Sequence, residues 1–439
     1  MAASASRSPE ARREMVSQAN TESGQRALVT GGANGIGWET CRRLAACGYR
    51  VALADIDGAA ASARVAELGP GHAALAVDLT DRAAASGLAA RAADVLGGLD
   101  VIVNNAGVTD TSGRPIVSLP DEAFQRLVDL NLVAVDAICA SAGDVLPRGS
   151  RIVNLASGAS FRPLALRGPY SATKAGIVAL TRAYADLLAP HGISVSAVAP
   201  GYTRTPLVDA LHREGRVDLD KVAASIPIGR LAMPDDIASV IAFAASHDGQ
   251  VLSGETVQVD GAGLSGPAPA GASPARGVAG DGRIAVIGDG DVFSAGAQDD
   301  IVRISGASTL GEQGLLRAVI DLSALGRNDG AGETLSRVRD TASACAALAA
   351  RTEDFSLLYV FGEGQGAQRM AAVAAGEMLA RTIALEWAPG GLRMNALRWR
   401  GAAHDGLDAL CRFLVGGGAA MITGQALQAG ARQPATNKD

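Results

Sequence analysis

Tyr170 and Lys174 stand four residues apart in "GPYSATKAG", so a helix there puts phenol and ammonium on one face. A free phenol titrates near ~10, and its use as a base near neutrality requires about 4 kcal/mol of stabilisation of the anion. A neighbouring ammonium supplies part of that through its charge, which makes the pair a candidate proton-transfer centre. The spacing alone is a common accident, more often a surface tyrosine beside a solvated lysine. Ser157 sits thirteen residues upstream, at the end of the apolar run "SRIVNLAS". Its hydroxyl could hold a substrate oxygen beside the phenol.

A second chemistry-bearing pattern opens the ordered sequence. In "RALVTGGANGIG" an apolar run breaks into Gly31, Gly35 and Gly37 and passes into "WETCRRLAACG". Glycines between a strand and a helix let the backbone approach a pyrophosphate at the positive end of the helix. Asp55 closes the next run, "RVALADID". A carboxylate there accepts both hydroxyls of an adenosine ribose and repels a 2′-phosphate. Ile56 and Asp57 follow it, and Ala33 and Asn34 in the glycine turn are neutral, so the reading favours NAD over NADP.

These residues need a scaffold that brings them to one edge. "HAALAVDLT", "LDVIVNNAG", "SRIVNLAS", "GISVSAVAP" and "ETVQVDG" continue the apolar runs, with helical stretches between most of them. Such alternation predicts an α/β fold with a doubly wound parallel sheet, whose ligands bind beyond the carboxyl ends of the strands.

Residues 25–263 resemble the short-chain dehydrogenase/reductase family, in its branch with a single Rossmann-type domain. The shared signatures are "TGGANGIG", Asp55, "VDL" at Val77–Leu79, "NNAG" at Asn104–Gly107, Asn131, Ser157, "YSATK", "PGYTRT" at Pro200–Thr205 and "VDGAG". Carried over by position, the resemblance implies Tyr170 as general acid/base, Lys174 on the nicotinamide ribose, Ser157 on the substrate oxygen and Asn131 holding a relay water. It implies NAD contacts from Gly31, Asn34, Gly35, Ile36, Gly37, Asp55 and Ile56. Asp78 and Leu79 would flank the adenine, with Asn105, Ala106 and Gly107 on the adenosine side and Pro200, Gly201 and Thr203 beside the nicotinamide. The stretch from Thr205 to about Ile228 matches the family's mobile substrate loop. Ala156 departs from relatives that carry a second serine. Arg162 and Arg167, in "ASFRPLALRG", could meet an acidic substrate; solvated loop residues or subunit contacts are the commoner role for such arginines.

The rest of the chain repeats the pattern. "LSGPAPAGASPARGVAGDG" has a linker composition. After it, "SLLYVFG" echoes "RIVNLAS", "LARTIALEWAPGGLRMNAL" echoes "LTRAYADLLAPHGISVSAV", and "FLVGGGAAMITGQALQAGA" echoes "FAASHDGQVLSGETVQVDG". Three echoes in series predict a second doubly wound domain. This copy lacks the chemistry. Its turn reads "GDGDVFSAG", Gly362 falls at the Ser157 position, and Arg369 and Val373 (or Met370 and Ala374) fall at the tyrosine and lysine positions. "LRAVIDLSALG" could replace the "NNAG" strand, with one βα unit lost. The expected organisation is therefore a disordered extension at 1–24, a catalytic domain at 25–263, a linker at 264–281, a degenerate domain at 282–432 and a tail at 433–439. In the family, helices matching 121–143 and 170–188 pack into a four-helix bundle. The resemblance then implies an intrachain pseudo-dimer, with 333–352 and 368–388 as the matching surfaces, and further homodimerisation.

Bulk composition excludes other classes. A net charge of −6 offers no basic footprint for nucleic acid or anionic lipid. The five cysteines form no CxxC or Cys/His cluster, so no metal site or disulfide framework is expected and a reduced, cytoplasmic setting follows. The first 24 residues have arginine and serine, as a mitochondrial address does, but also Glu10, Glu14 and Glu22, and they lack the apolar core of a signal peptide. The expected activity is interconversion of a secondary alcohol and a ketone with NAD. A 3-oxoacyl-thioester reductase for an acyl carrier protein and an NAD-binding scaffold without turnover are the alternatives.

Overall fold

The computed structural model describes residues 24–430 except 267–277, 280–281, 289–291, 294–299, 315, 350–351, 364–365 and 402–405. The expected extension, most of the linker, the tail, and Asp289, Asp291 and Ser294 of the altered turn lie outside the described residues.

In the first half, β1 (Arg26–Thr30) leads through α1 (Gly35–Ala46) to β2 (Arg50–Asp55), then through α2 (Gly58–Leu68) to β3 (Ala73–Ala76). The short α3 (Arg82–Ser86) and α4 (Leu88–Leu96) return the chain to β4 (Val101–Asn104). After it come α5 (Asp121–Val128), α6 (Ala134–Ala142), β5 (Arg151–Leu155), α7 (Gly168–Leu188) and β6 (Ser194–Pro200). The half closes with α8 (Pro206–Arg213), α9 (Leu219–Ala224), α10 (Pro234–Ala245) and β7 (Thr256–Val259). The strands pair in parallel in the order β3-β2-β1-β4-β5-β6-β7. Every residue of β4 and β5 is buried, as strands covered by helices on both faces require. The order reverses at β1, so the connections leaving the paired strands β1 and β4 run to opposite faces of the sheet and leave a crevice at their carboxyl ends.

Helix α7 carries the chemistry because its inner stripe is anchored. Thr173, Lys174, Ile177, Thr181, Ala185 and Leu188 are buried at three- and four-residue intervals, and Pro169 sits in the first turn, where its missing N–H is harmless.

The second half holds β8 (Val278–Ala279), β9 (Ile284–Ile287), β10 (Ile301–Ile304), β11 (Ala318–Ala324), α11 (Ala331–Ala349), β12 (Thr352–Glu353) and β13 (Ser356–Gly362). It continues through α12 (Ala367–Trp387), β14 (Arg393–Arg400), α13 (Leu407–Val415) and β15 (Ala426–Gly430). β8 and β12 form a short ribbon; the others make a parallel sheet in the order β10-β9-β11-β13-β14-β15. This is the first sheet's order without a counterpart of β3. β11 stands where β4 stands, as "LRAVIDLSALG" suggested.

The halves do not meet where the helix-bundle expectation put them. Ile177 and Leu188 of α7 belong to a core confined to the first half, and Val373 and Ala380 of α12 to one confined to the second. Leu187, Met370 and Met378 are left 64%, 59% and 57% exposed on those helices. The shared core instead joins Val240, Ile241 and Val257 to Leu410, Leu414 and Ile422. Phe243 stacks on Phe413 with ring centroids 4.1 Å apart, and Arg400 pairs with Glu255. The reason lies in the helices. On α12 the buried positions are spent on its own sheet, and its outer face includes small residues such as Ala371 and Ala374. On α10 the run Ile237–Ile241 is buried without interruption, and a helix apolar on all sides needs cover on both.

Candidate active site

The glycine turn is built for close approach. Gly31 and Gly35 adopt φ of +63° and +54°, and a Cβ on Gly37 would collide with the Gly31 carbonyl oxygen. The turn is tied to the "NNAG" segment: Thr30 Oγ1 accepts from the N–H groups of Asn105 (3.0 Å) and Ala106 (3.1 Å), and Asn105 Nδ2 donates to the Thr30 carbonyl at 2.9 Å. Asp55, at the end of β2, accepts from the Ala33 N–H at 3.0 Å and the Asp57 N–H at 3.1 Å, which fixes its carboxylate at the crevice. Arg64, nine residues on, donates to the Ala33 carbonyl and pairs with Glu67, so its charge is answered and it does not line the cavity.

Ser157 leaves β5 and caps a short turn, its Oγ accepting from the Ala159 N–H at 3.2 Å. Lys174 reaches under the helix to donate from Nζ to the Leu155 carbonyl at 2.7 Å, and Nζ lies 6.0 Å from the centre of the Tyr170 ring. Burial pushes the Tyr170 phenol up, while the nearby Ser157 hydroxyl and the Arg167 guanidinium pull it down. Burial also lowers Lys174, to about 8.

Asn131 sits in a π-turn at Asp129–Val133 between α5 and α6, a widening that rotates one residue out of helical register. Its amide is committed to Val108: Nδ2 donates to the carbonyl at 2.8 Å and Oδ1 accepts from the N–H at 2.9 Å. Sequence periodicity gives no sign of this turn, because it consumes a single extra residue in an otherwise helical run.

These groups surround one cavity of about 1090 Å³ at the carboxyl edge of the first sheet. Gly31, Asn34, Gly35, Ile36, Gly37, Asp55, Ile56, Asp78, Leu79, Asn105, Ala106, Gly107, Pro200, Gly201 and Thr203 all line it, with Ser157, Tyr170 and Lys174. Asn131 does not; it is fully buried behind Gly107 and Val108. Several lining residues escaped the sequence reading, among them Thr109, Arg126, Asp260 and Leu264. Asp260 lies inside "VDGAG" and Leu264 directly after it, so both carried a usable signal; Arg126 on α5 and Thr109 on the loop after β4 carried none. Arg162 and Arg167 both line the cavity. In the second half, Gly362 ends β13, and Arg369 is buried in the first turn of α12, donating to the Ala324 carbonyl at 3.0 Å. No phenol–ammonium pair occurs there among the described residues.

A dinucleotide fits this cavity on three observations: the glycine cradle without side chains, the fixed carboxylate at the end of β2, and the volume. Comparison with known proteins agrees. A family profile described as enoyl-(acyl carrier protein) reductase matches residues 31–265. Galactitol 2-dehydrogenase of Agrobacterium fabrum is 38% identical over 246 residues, which cover 54% of this chain and 95% of the relative. Cis-4-hydroxycyclohexanecarboxylate dehydrogenase of Sinomonas cyclohexanicum is 40% identical over 240 residues, 54% of this chain and 94% of the relative. Among solved structures, a 3-ketoacyl-(acyl-carrier-protein) reductase of Brucella melitensis complexed with NADH is 31% identical with a TM-score of 0.50, covering 55% of this chain and 98% of that one. A short-chain dehydrogenase of Burkholderia cenocepacia in complex with NADP is 32% identical with a TM-score of 0.50, at the same coverages.

The chain belongs to the short-chain dehydrogenase/reductase family. It is a nicotinamide-dependent oxidoreductase acting on CH–OH groups.

Proposed function

We propose that residues 25–263 form an NAD(H)-dependent dehydrogenase of secondary alcohols, with Tyr170 Oη as the proton-transferring atom. The observation that carries this reading is the convergence of Tyr170, Lys174 and Ser157 on one wall of a cavity whose other end holds Asp55. When bound, the nicotinamide supplies the hydride acceptor for oxidation. Ser157 Oγ orients the substrate oxygen towards Tyr170. Tyr170 Oη takes the alcohol proton, and Lys174 biases the phenol towards its anion through its charge. Asn131 acts as a positioning residue: by clamping both backbone groups of Val108 it holds the loop after "NNAG" against the cavity. A relay water on Asn131 needs its amide to share those bonds. Incubation with NAD and a panel of secondary alcohols tests the activity; rapid NADH consumption on 3-oxoacyl thioesters with none on simple ketones would move the reading to the thioester reductase, and NAD binding without turnover would move it to a scaffold.

For cofactor choice, Asp55 supports NAD. Its carboxylate, held by two backbone N–H groups, repels a 2′-phosphate by about 1–3 kcal/mol in a partly solvated site. Asp55→Ser is expected to shift the NADP/NAD ratio of kcat/KM upward by about ten- to a hundredfold; an unchanged ratio removes Asp55 as the selector.

The second half is read as a degenerate copy that serves as a built-in subunit. Phe243 and Phe413 occupy the same place in the echoed stretches and stack on each other with their planes 9° apart. Equivalent residues meet in this way on the axis of an isologous interface. The Gly261 N–H donates to the Met421 carbonyl at 2.9 Å, so this junction braces the segment that carries Asp260 and Leu264 into the cavity. Phe413→Asp is expected to destabilise the protein by about 2 kcal/mol or more. Denaturant unfolding of the full chain, followed with activity, checks it; unchanged stability and rate would detach the second half from the site. The exposed outer faces of α7 and α12 suit further homodimerisation. No described helix is long and apolar enough to cross a membrane. The cysteines are all free, which supports a reduced, cytoplasmic setting.

A further inference from the structure

Two cations on the cavity wall make no ion pair among the described residues, although the charge of Arg162 is felt by the buried Asp260 carboxylate. Arg162 and Arg167 both line the cavity beside Tyr170, and neither is paired with a carboxylate among the described residues. On the substrate loop Asp209 pairs with Arg204, Glu214 with Arg216, and Asp218 accepts from the Lys221 N–H; beyond the loop, Asp236 pairs with Arg230. Asp260 accepts from the N–H groups of Ala262 and Leu264 and interacts with Arg162 through its charge, without a salt bridge between them.

Arg167 is placed at some cost. Leu166 before it has a φ of +62°, a backbone conformation that a side chain with a Cβ rarely adopts. That turn makes Arg167 the N-cap of α7, where the positive end of the helix opposes a cation. One hydrogen bond, from Nη1 to Thr109 Oγ1 at 2.8 Å, holds the guanidinium, and its other donors engage no described residue. A guanidinium without an ion pair beside the reacting phenol is stabilised once an anionic ligand arrives. The cavity lining also includes apolar Leu164 and, from the substrate loop, Leu207, Leu211 and Ile226.

We infer that the alcohol is a hydroxycarboxylate: an apolar body lies against Leu207, Leu211 and Ile226, and its carboxylate is taken by Arg167 with support from the charge of Arg162. This rests on the dehydrogenase reading above and adds the substrate class. The phosphate of a pantetheine arm offers the same charge, so the test separates the two.

The protein with NADH is titrated with cyclohexanecarboxylate, cyclohexanecarboxamide and pantetheine 4′-phosphate, with binding read by the change in cofactor fluorescence. The carboxylate is expected to bind at least tenfold more tightly than the isosteric amide, and Arg167→Gln to bring that ratio close to one. Arg162→Gln is expected to lower it by a smaller factor, as a charge acting at longer range does. A ratio near one in the unaltered protein, an unchanged ratio in Arg167→Gln, or tighter binding of the pantetheine phosphate than of the carboxylate would each overturn the inference. Because this is a binding ratio, it stands apart from turnover: oxidation of neutral alcohols with no preference for the carboxylate leaves the dehydrogenase intact and removes only the substrate class.

Discussion

Tyr170→Phe is expected to lower kcat for alcohol oxidation by about a thousandfold, within the range that a general acid/base supplies. The substitution removes one oxygen and keeps the ring that lies 6.0 Å from Lys174 Nζ. NADH affinity should therefore change little, and a loss confined to kcat marks a group that acts on the proton. The pH profile sharpens the test. Burial holds the phenol above its ordinary range, so near neutrality most of the protein carries Tyr170 protonated. Oxidation by the unaltered enzyme should therefore accelerate as pH rises and the phenolate fraction grows. The residual rate of Tyr170→Phe should lose that rise. Equal turnover in the variant would sink the proton-transfer role.

Lys174→Met is expected to cost activity by about a hundredfold or more and to raise stability at the same time. Burial lowers the ammonium from 10.5 to about 8, which means the fold pays to keep it charged. Below about 8 both states carry the charge, and the folded state is destabilised by about 3 kcal/mol relative to a neutral group. Between about 8 and 10.5 the unfolded chain binds more protons than the folded one, so stability rises with pH across that window. Methionine removes the cost and also the hydrogen bond to the Leu155 carbonyl, worth about 1 kcal/mol. The net expectation at pH 7 is a gain of about 2 kcal/mol, with a flat profile between pH 8 and 10.5 where the unaltered protein climbs. Denaturant unfolding at the two ends of that window reads both effects. A destabilised Lys174→Met would mean that Lys174 is held by favourable contacts rather than against a burial cost. This is a residue retained against stability, which is what a functional site asks of a buried cation.

The cavity is a case where local signals and tertiary arrangement divide cleanly. The glycine turn, Asp55, Ser157, Tyr170 and Lys174 were legible because each sits at a strand end or on one helix face, where position along the chain fixes position in space. Alternation of apolar runs with helical stretches was enough for both parallel sheets, since a strand buried on two faces has no other home. Among the echoes, "LRAVIDLSALG" was matched to the "NNAG" strand, and β11 occupies the place of β4; the full strand order is a finding of the structure.

Other features depended on surfaces that the chain meets only once folded. The π-turn that carries Asn131 leaves no periodic trace, and the commitment of its amide to Val108 depends on a loop more than twenty residues away in sequence. The junction between the halves was misplaced because amphipathicity reports that a helix is buried without naming its partner. α7 and α12 proved satisfied by their own sheets, whereas α10, buried at every residue from Ile237 to Ile241, and the apolar stripe Leu407, Leu410, Leu414 of α13 carried the contact. Arg162 and Arg167 were ambiguous for the same reason. The sequence determined that two arginines lie between Ser157 and Tyr170; only the tertiary structure decided that they line the cavity without an ion pair among the described residues, because pairing of charges depends on which distant side chains the fold brings within reach.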